Sequence, residues 1–352
     1  MKIKNIEHLR APKIVTKEFP TYDKLQTYDI KDNPFPYIYI DLTYKCNMNC
    51  HYCYMPVRTL PDLDLDYFKY VCENLPKLKH HKRRHNKIRW ITRYLFRFLG
   101  GEPTMYKHFK EACQIAHENG HYVSIITNGI KFADKAYAQE IKDYGINSLA
   151  PAISMNGGRY RDDWYAEIDN AHCAKIKFQA LKNMIDVGFK IAITAIVIRD
   201  FNEGIIKELY DISRLYPKQI KNIHYRTAGN VGRWNKKFGK PYTATELQEV
   251  VASIIPGADK PKKWILDGKI PAGVRGKPFN DKDFVCRGCC REYFVETGDG
   301  SSLEISIVEF GTENAGKCWR RGHLNSDGTI QSYFASMREF STDTLGIESE
   351  ML

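Results

Sequence analysis

Apolar residues recur along the chain at the two spacings that distinguish strands from helices. Short apolar or alternating runs predict six strands, at 37–42, 94–99, 122–127, 149–155, 190–198 and 222–227. Apolar residues three and four positions apart predict a helix after each of the first five strands, at 64–75, 105–119, 133–144, 171–187 and 203–215. This succession predicts right-handed crossovers and a parallel sheet, arranged either as a doubly wound sheet or as a barrel.

Chemically distinctive residues follow the predicted strands. Three cysteines come after the first strand, Gly100 to Pro103 after the second, Asn128 and Gly129 after the third, and Asn156 to Gly158 after the fourth. Parallel α/β folds carry their active sites at the carboxyl ends of the strands. We therefore expect an enzyme site at this end of the sheet.

The strand–helix rhythm ends near residue 235, and the chain divides into four predicted segments. Residues 1–34 are an irregular N-terminal extension, 35–235 the α/β core, and 236–283 a helix followed by a linker rich in Pro, Gly and Lys. Residues 284–352 are a small C-terminal module with hairpin-like strands. Those strands are 292–296, 303–310 and 318–324.

The composition is that of a globular protein. Apolar residues make up 43% of the 352 residues and charged residues 27%, which excludes a wholly disordered or fibrous chain. No apolar run approaches the roughly 20 residues that a membrane-spanning helix needs. The start of the chain lacks the apolar core of a secretory signal, so we expect a cytoplasmic protein whose cysteines stay reduced.

The net charge of +11 is concentrated in one segment. Residues 77–97 contain nine lysines and arginines and no acidic residue, between the first predicted helix and the second predicted strand. An insertion at this place would lie on the rim of the sheet. It has two interpretations: a patch that binds the phosphates of a nucleotide or nucleic acid, or a solvated loop.

The first group of cysteines, Cys46, Cys50 and Cys53, has the spacing CX3CX2C. Three thiolates on one loop can hold three irons of a four-iron cubane and leave the fourth iron open to a further ligand. A structural zinc site takes four ligands, and neither a fourth cysteine nor a suitably spaced histidine completes this set. The spacing therefore favours an iron–sulfur cluster. The isolated Cys72, Cys113 and Cys173 are predicted to be small buried hydrophobes.

This arrangement resembles the radical S-adenosylmethionine (radical SAM) family. The resemblance rests on CX3CX2C with an aromatic residue, Tyr52, before its last cysteine, and on Gly-Gly-Glu-Pro after the second strand, and it covers about residues 36–235. It implies a partial (β/α)6 barrel and a [4Fe-4S] cluster on Cys46, Cys50 and Cys53. It further implies that SAM is cleaved reductively, with electrons from flavodoxin or ferredoxin, and that hydrogen is abstracted from a substrate by an oxidoreductase or transferase.

The same resemblance implies a set of SAM-binding residues. Glu102 would accept hydrogen bonds from the SAM ammonium group, and Tyr52 would help to seat the adenine. Glycine at positions 100 and 101 would let the backbone approach the ligand where a Cβ would collide. Polar contacts to the ribose or carboxylate are expected from the third and fourth strands. The full set is Tyr52, Gly100, Gly101, Glu102, Pro103, Asn128 and Ser154.

The second group of cysteines offers four thiolates to one metal site: Cys286, Cys289, Cys290 and Cys318. Four cysteines suit an auxiliary iron–sulfur cluster or a tetrahedral zinc ion, and a structural role without metal is the third interpretation. Hairpins with such cysteines resemble the auxiliary modules of SPASM or twitch kind in radical SAM enzymes. The segment also resembles the cyclase of molybdenum-cofactor synthesis, but it has Ser301 to Leu303 where that cyclase would have its third cysteine.

Two substrate classes and one different function remain open. The auxiliary module favours a peptide or protein substrate, which we place first, and the basic insertion 77–97 favours a nucleotide or nucleic acid. The different function is a zinc-stabilised nucleic-acid-binding protein, in which both cysteine groups hold zinc. Iron and acid-labile sulfide in the purified protein would distinguish the first two from the third.

Overall fold

A computed structural model describes twelve segments of the chain. They are residues 29–33, 35, 37–53, 61–82, 87–91, 93–144, 151–227, 238–258, 290–296, 302–308, 321–324 and 330–332. The strands in these segments are β1 (Tyr37–Thr43), β2 (Leu78–Lys82), β3 (Lys87–Ile91), β4 (Leu95–Gly100), β5 (Tyr122–Thr127), β6 (Ala152–Ser154), β7 (Ile191–Val197), β8 (Ile220–Thr227), β9 (Cys290–Glu296), β10 (Ser302–Val308), β11 (Arg321–Leu324) and β12 (Ile330–Ser332).

The helices lie between the strands, as the sequence predicts. They are α1 (Leu65–Asn74), α2 (Phe109–Glu118), α3 (Lys135–Asp143), α4 (Asp162–Asp169), α5 (Ala174–Asp186), α6 (Gly204–Leu215) and α7 (Ala244–Ile254). Helix α4 is not predicted by the sequence pattern, because it has only eight residues and follows two glycines, Gly157 and Gly158. Among the described helices, none combines the length and the hydrophobicity that crossing a membrane requires.

The six predicted core strands are confirmed and lie side by side in one sheet, in the order β1-β4-β5-β6-β7-β8, with every pair parallel. The order follows the chain without reversing. A doubly wound sheet would reverse its strand order at a switch point, so this topology is that of a partial (β/α)6 barrel. All seven residues of β7 are buried, which explains why its apolar run is the clearest strand signal in the sequence.

The C-terminal hairpins extend both edges of the same sheet. Strand β10 pairs in parallel with β8 and antiparallel with β9, while β11 pairs in parallel with β1 and antiparallel with β12. The parallel part of the described sheet therefore has eight strands. The sequence predicts the hairpins but not these pairings, because a short alternating run does not specify the strand to which it hydrogen-bonds.

One face of the sheet packs against the helices. On β1, β4 and α1, the core residues include Ile38, Ile40, Phe68, Phe96 and Phe98, and the Phe68 ring contacts those of Phe96 and Phe98 edge-on. Successive residues of a strand point to opposite faces, so the residues between these core positions face the other side of the sheet. We call that side the inner face. It carries polar side chains that are largely buried, among them Asp41, Arg97, Ser124, Thr194, Ser306 and His323.

The basic run 77–97 is partly regular structure. Strands β2 and β3 pair as an antiparallel hairpin, separate from the large sheet. The last residue of the run, Arg97, lies in β4, and its guanidinium carbon is 5.9 Å and 6.0 Å from the ring centres of Tyr37 and Tyr39. Arg97 therefore belongs to the fold of the barrel rather than to a solvated loop.

Candidate active site

The loop that bears Cys46, Cys50 and Cys53 starts directly after β1, and hydrogen bonds hold it in place at its start and next to Cys50. At its start, the Thr43 hydroxyl donates to Asp62 at 2.6 Å and accepts from the Lys45 N–H at 3.1 Å. Further along, the His51 N–H donates to the carbonyl of Ile168, the residue before the end of α4, at 3.0 Å. The helix that the sequence analysis missed therefore anchors the cysteine loop.

Gly100 and Gly101 bring the end of β4 against this loop. The Gly101 N–H donates to the Thr43 carbonyl at 2.7 Å, and the Glu102 N–H donates to the Lys45 carbonyl at 2.8 Å. A Cβ on Gly101 would lie 2.2 Å from the Lys45 carbonyl oxygen, and one on Gly100 would lie 2.3 Å from that of Thr43. Glycine is therefore needed at both positions because the backbone of the cysteine loop passes so close to them.

Replacing Gly101 by alanine is expected to displace the cysteine loop, because a carbonyl oxygen at 2.2 Å cannot accommodate a methyl group. We expect a loss of stability of about 1–3 kcal/mol and less iron bound after anaerobic reconstitution. Gly188→Ala is the matched control: φ is +85°, which strains alanine, but nothing lies within 4 Å of the added Cβ. The control is expected to lose stability and keep its iron; equal iron content in the two variants would refute this explanation.

The Glu102 side chain is 1% exposed and faces the protein. Its Oε1 accepts hydrogen bonds from the Thr104 N–H at 3.2 Å, the Thr104 hydroxyl at 2.8 Å and the Thr127 hydroxyl at 2.8 Å, and its Oε2 accepts from the Asn128 N–H at 2.7 Å. Burial raises the pKa of this carboxyl group, and these hydrogen bonds offset part of the rise. Glu102 thereby joins the end of β4 to the end of β5. Pro103 begins the short 3-10 helix Pro103–Met105 that follows.

Two N–H donors lie near the Cys46 sulfur. The Met48 N–H lies 3.4 Å from it and the Asn128 side-chain nitrogen 3.9 Å, and the same Asn128 nitrogen donates to Asn47 at 2.7 Å. Hydrogen bonds to sulfur stabilise thiolates and tune iron–sulfur clusters. Asn128, expected to contact SAM, therefore lies beside the cysteine loop in this structure.

The donor set fits a [4Fe-4S] cluster. Cys46, Cys50 and Cys53 form no disulfide and are only partly buried on one loop, and soft thiolates are the ligands that such clusters use. Within the described residues, no three His, Cys, Asp or Glu side chains converge on a position for a single metal ion. Thiolates that bind separate irons of one cluster do not have to converge in this way.

Burial raises the pKa of the Cys50 thiol well above its usual value, and the nearby Asp169 carboxylate raises it further. The Lys177 ammonium acts in the opposite direction. Positively charged irons would overcome this effect, because metal binding selects the thiolate. The cysteines predicted to be buried hydrophobes, Cys72, Cys113 and Cys173, are buried as expected.

A buried ion pair that sequence reasoning missed lies next to this loop. Lys177 in α5 and Asp169 in α4 are both fully buried, with 3.8 Å between Nζ and Oδ2. The Lys177 ammonium also donates to the Ser154 carbonyl at 3.0 Å. A signal for the pair does exist in the sequence: Lys177 falls on the apolar stripe of α5 that contains Ala180, Leu181 and Met184.

Asn156 connects the ion pair to Tyr52. Its side-chain nitrogen donates to Asp169 at 2.8 Å and lies 3.3 Å from the Tyr52 hydroxyl, and its oxygen accepts from the Ile196 N–H at 2.9 Å. Burial raises the pKa of the Tyr52 hydroxyl, and the charges of Cys50 and Asp169 raise it further. The same hydroxyl also hydrogen-bonds with Ser154. The structure thus brings together Tyr52 and Ser154, two residues expected to contact SAM.

The second cysteine group lies mostly outside the described residues. Cys286, Cys289 and Cys318 fall there, and Cys290 is described only by its backbone, where it begins β9 and pairs with Val308. An auxiliary cluster, a zinc ion and a structural role therefore stay predictions for this group.

Residues 40–212 match the sequence family described as the Radical SAM superfamily. This match covers the cysteine loop and the core strands from within β1 to β7, and it ends before β8. The chain belongs to the radical SAM superfamily. It is therefore a radical SAM enzyme, and membership implies a [4Fe-4S] cluster and SAM as its cofactors.

Curated relatives within this superfamily are distant. The chain is 24% identical over 275 residues to a GTP 3',8-cyclase of Helicobacter pylori, covering 74% of this chain and 78% of the relative. It is 23% identical over 312 residues to a GTP 3',8-cyclase of Syntrophomonas wolfei, covering 88% and 83%. A third relative is the Fe-coproporphyrin III synthase of Methanosarcina barkeri, 24% identical over 220 residues, covering 62% of this chain and 51% of the relative.

Solved structures of SuiB from Streptococcus suis share the fold. The one bound to S-adenosylmethionine superposes with a TM-score of 0.57 at 16% identity, covering 90% of this chain and 68% of that chain. The one bound to the precursor peptide SuiA gives 0.56 at 16% identity, covering 86% of this chain and 60% of that chain. At this identity the likeness concerns the fold alone.

Proposed function

We propose that this radical SAM enzyme binds its [4Fe-4S] cluster through Cys46, Cys50 and Cys53 and acts on a purine nucleotide. The observation that carries the first part is the cysteine loop itself: three cysteines without a disulfide, on a loop held against the end of β4 by the backbone of Gly101 and Glu102. The chemistry that the cluster and SAM supply when bound is one-electron cleavage of SAM, followed by hydrogen abstraction from the substrate.

The chain's own residues hold and orient this site. We propose that Tyr52, Asn128 and Ser154 make the polar contacts to SAM. Asn128 lies beside the Cys46 sulfur, and Tyr52, which belongs to the cysteine loop, hydrogen-bonds to Ser154. Glu102 acts by positioning: its carboxylate holds the Asn128 backbone and the Thr104 and Thr127 hydroxyls in place. Lys177 holds the Ser154 backbone and compensates the charge of Asp169.

The substrate class rests on the curated relatives. Two GTP 3',8-cyclases align with 74% and 88% of this chain, so their similarity extends beyond the part that the superfamily shares. The likeness to SuiB concerns the fold and does not favour a peptide. We propose only that the substrate is a nucleotide, and not that the chain forms the product of the cyclase. The reason is that Ser301 to Leu303 stand where that cyclase would have its third auxiliary cysteine.

The first experiment tests the cluster. Anaerobically reconstituted protein is expected to contain iron and acid-labile sulfide and to release 5′-deoxyadenosine from SAM after reduction with dithionite. Cys50→Ala is expected to lose the [4Fe-4S] signal at Cys46–Cys53 and to abolish the release, because the cluster loses one of its three ligands. Cys113→Ala, which alters a buried cysteine in α2, is the control and is expected to retain both. Release at the wild-type rate by Cys50→Ala would overturn the assignment.

The second experiment tests the substrate class with GTP. When uniformly deuterated GTP is supplied, 5′-deoxyadenosine is expected to acquire deuterium, because the hydrogen that it gains comes from the substrate. Transfer of deuterium from a labelled peptide, with none from GTP, would replace the nucleotide by a peptide substrate and leave the cluster assignment standing.

A further inference from the structure

Four neighbouring strands bring four polar residues into one row across the sheet. Ser154 on β6 is in register with Thr194 on β7, Thr194 with His224 on β8, and His224 with Ser306 on β10. We call these four residues the inner row. Adjacent strands lie about 4.8 Å apart, so the row is about 14 Å long.

The inner row lies on the face of the sheet that does not pack against the helices. The residues that precede or follow its members on the same strands belong to the apolar core: Ile153, Ile193, Ala195, Ile223, Tyr225, Ile305 and Ile307. Because side chains alternate along a strand, the row itself lies on the inner face. The inner face of a partial barrel is where a small substrate is enclosed by strands on several sides.

Two hydroxyl groups of the row are buried without a hydrogen-bond partner. Thr194 is 5% exposed and Ser306 is 1% exposed, and neither side-chain oxygen has a partner among the described residues. Buried hydroxyls are nearly always hydrogen-bonded, because an unmade bond costs about 1–3 kcal/mol. These two groups therefore point to a bound polar molecule as their partner. They lie on β7 and β10, on either side of β8.

The side chains next to the inner row indicate the chemical class of such a molecule. Two positions before Ser154 and Thr194 on the same strands, Ala152 and Ala192 are small, apolar and buried. On β8 and β10, the neighbouring inner-face residues are Asn222 and Arg226, with Glu304 opposite Asn222. This wall offers both donors and acceptors and carries one formal charge of each sign. Such a wall suits a neutral group with several hydrogen-bonding atoms, such as a nucleobase or ribose, better than a triphosphate.

One end of the row meets the candidate SAM site. Ser154 is a member of the row and also hydrogen-bonds with Tyr52, and its carbonyl accepts from Lys177. We propose that Thr194 and Ser306 bind the base or ribose of the nucleotide substrate and orient it along the inner row towards Ser154. This assignment rests on the proposed function, since it presupposes that a nucleotide is the substrate.

The test uses Thr194→Val and Ser306→Ala in the reconstituted holoenzyme, with GTP as the probe. Each variant is expected to weaken GTP binding about five- to tenfold, the effect of losing one buried hydrogen bond to a ligand, and to change the affinity for SAM much less. Less deuterium per 5′-deoxyadenosine from labelled GTP is also expected, because a misoriented substrate donates hydrogen less often. Unchanged GTP affinity and deuterium transfer in both variants would overturn the role of the row.

A measurement without GTP makes the proposal falsifiable on its own. Ser213→Ala is the control, because this buried hydroxyl donates to the Tyr210 carbonyl at 2.6 Å within the protein. Thr194→Val is expected to unfold at the wild-type temperature or above, and Ser213→Ala below it. Equal losses would show that the Thr194 hydroxyl has a protein partner and would overturn the assignment. A wild-type protein that binds no GTP but still cleaves SAM would overturn the nucleotide class and this role with it.

Discussion

Replacing Lys177 by methionine is expected to lower the free energy of unfolding by about 3–5 kcal/mol, because the variant leaves a buried carboxylate without its counter-charge. Asp169 is fully buried, and its carboxylate also accepts a hydrogen bond from the Asn156 side chain at 2.8 Å. Asn156 also approaches Tyr52 at 3.3 Å, so the perturbation is expected to reach the site. Urea denaturation of the wild type and the variant measures the loss.

A double-mutant cycle isolates the ion pair from the packing of the two side chains. Asp169→Asn is expected to be destabilising as well, since it leaves the Lys177 ammonium buried and unpaired. The double variant Lys177→Met with Asp169→Asn removes both charges and is expected to recover most of the lost stability. Additive losses in the double variant would show that the two charges do not interact, and would contradict the buried pair.

Replacing Glu102 by alanine is expected to cost about 3 kcal/mol or more, since it leaves several buried donors without an acceptor. The donors are the Thr104 N–H, the Thr104 and Thr127 hydroxyls and the Asn128 N–H, all now bonded to the carboxylate. Glu102→Gln keeps the shape and one acceptor oxygen, so a smaller loss is expected. Both stability and iron content after reconstitution are measured.

The same pair of variants separates two roles for this carboxylate. If Glu102 positions the ends of β4 and β5, SAM affinity is expected to fall in proportion to the loss of stability, with Glu102→Gln mildly affected in both. A direct contact with the SAM ammonium predicts the reverse: Glu102→Gln would lose SAM affinity while keeping wild-type stability. Glu118→Ala, at the exposed end of α2, is the control for the removal of a negative charge.

Local sequence patterns were sufficient for the core of the fold. Strand β7 is a continuous apolar run, and helix α7 carries a capping box between Thr243 and Glu246, so both can be recognised from adjacent residues. Helix α4 was missed because eight residues that begin with two aspartates hardly show a helical period. The parallel pairing of β10 with β8 and of β11 with β1 was missed for another reason: hydrogen bonds between distant segments leave no trace in the pattern of either one.

The candidate site divides in the same way. The three cysteines were found because their ligand chemistry depends on residue type and on spacing within one loop. The sequence motif identifies Glu102 as a site residue but does not show that its carboxylate accepts hydrogen bonds from Thr127 and Asn128. Those hydrogen bonds exist only because β4 lies beside β5. Lys177 and Asp169 lie on different helices, and their pairing follows from how those helices pack.

By itself the sequence determined the succession of strands and helices, the loop that carries Cys46, Cys50 and Cys53, and the superfamily to which these motifs belong. These features depend on residues that are close in the chain, where periodicity and spacing carry the information. Only the tertiary structure decided that Glu102 faces the protein, that Lys177 and Asp169 pair, and that Thr194 and Ser306 share one row. Those contacts join segments that are far apart in the chain, and strand register and helix packing bring them together.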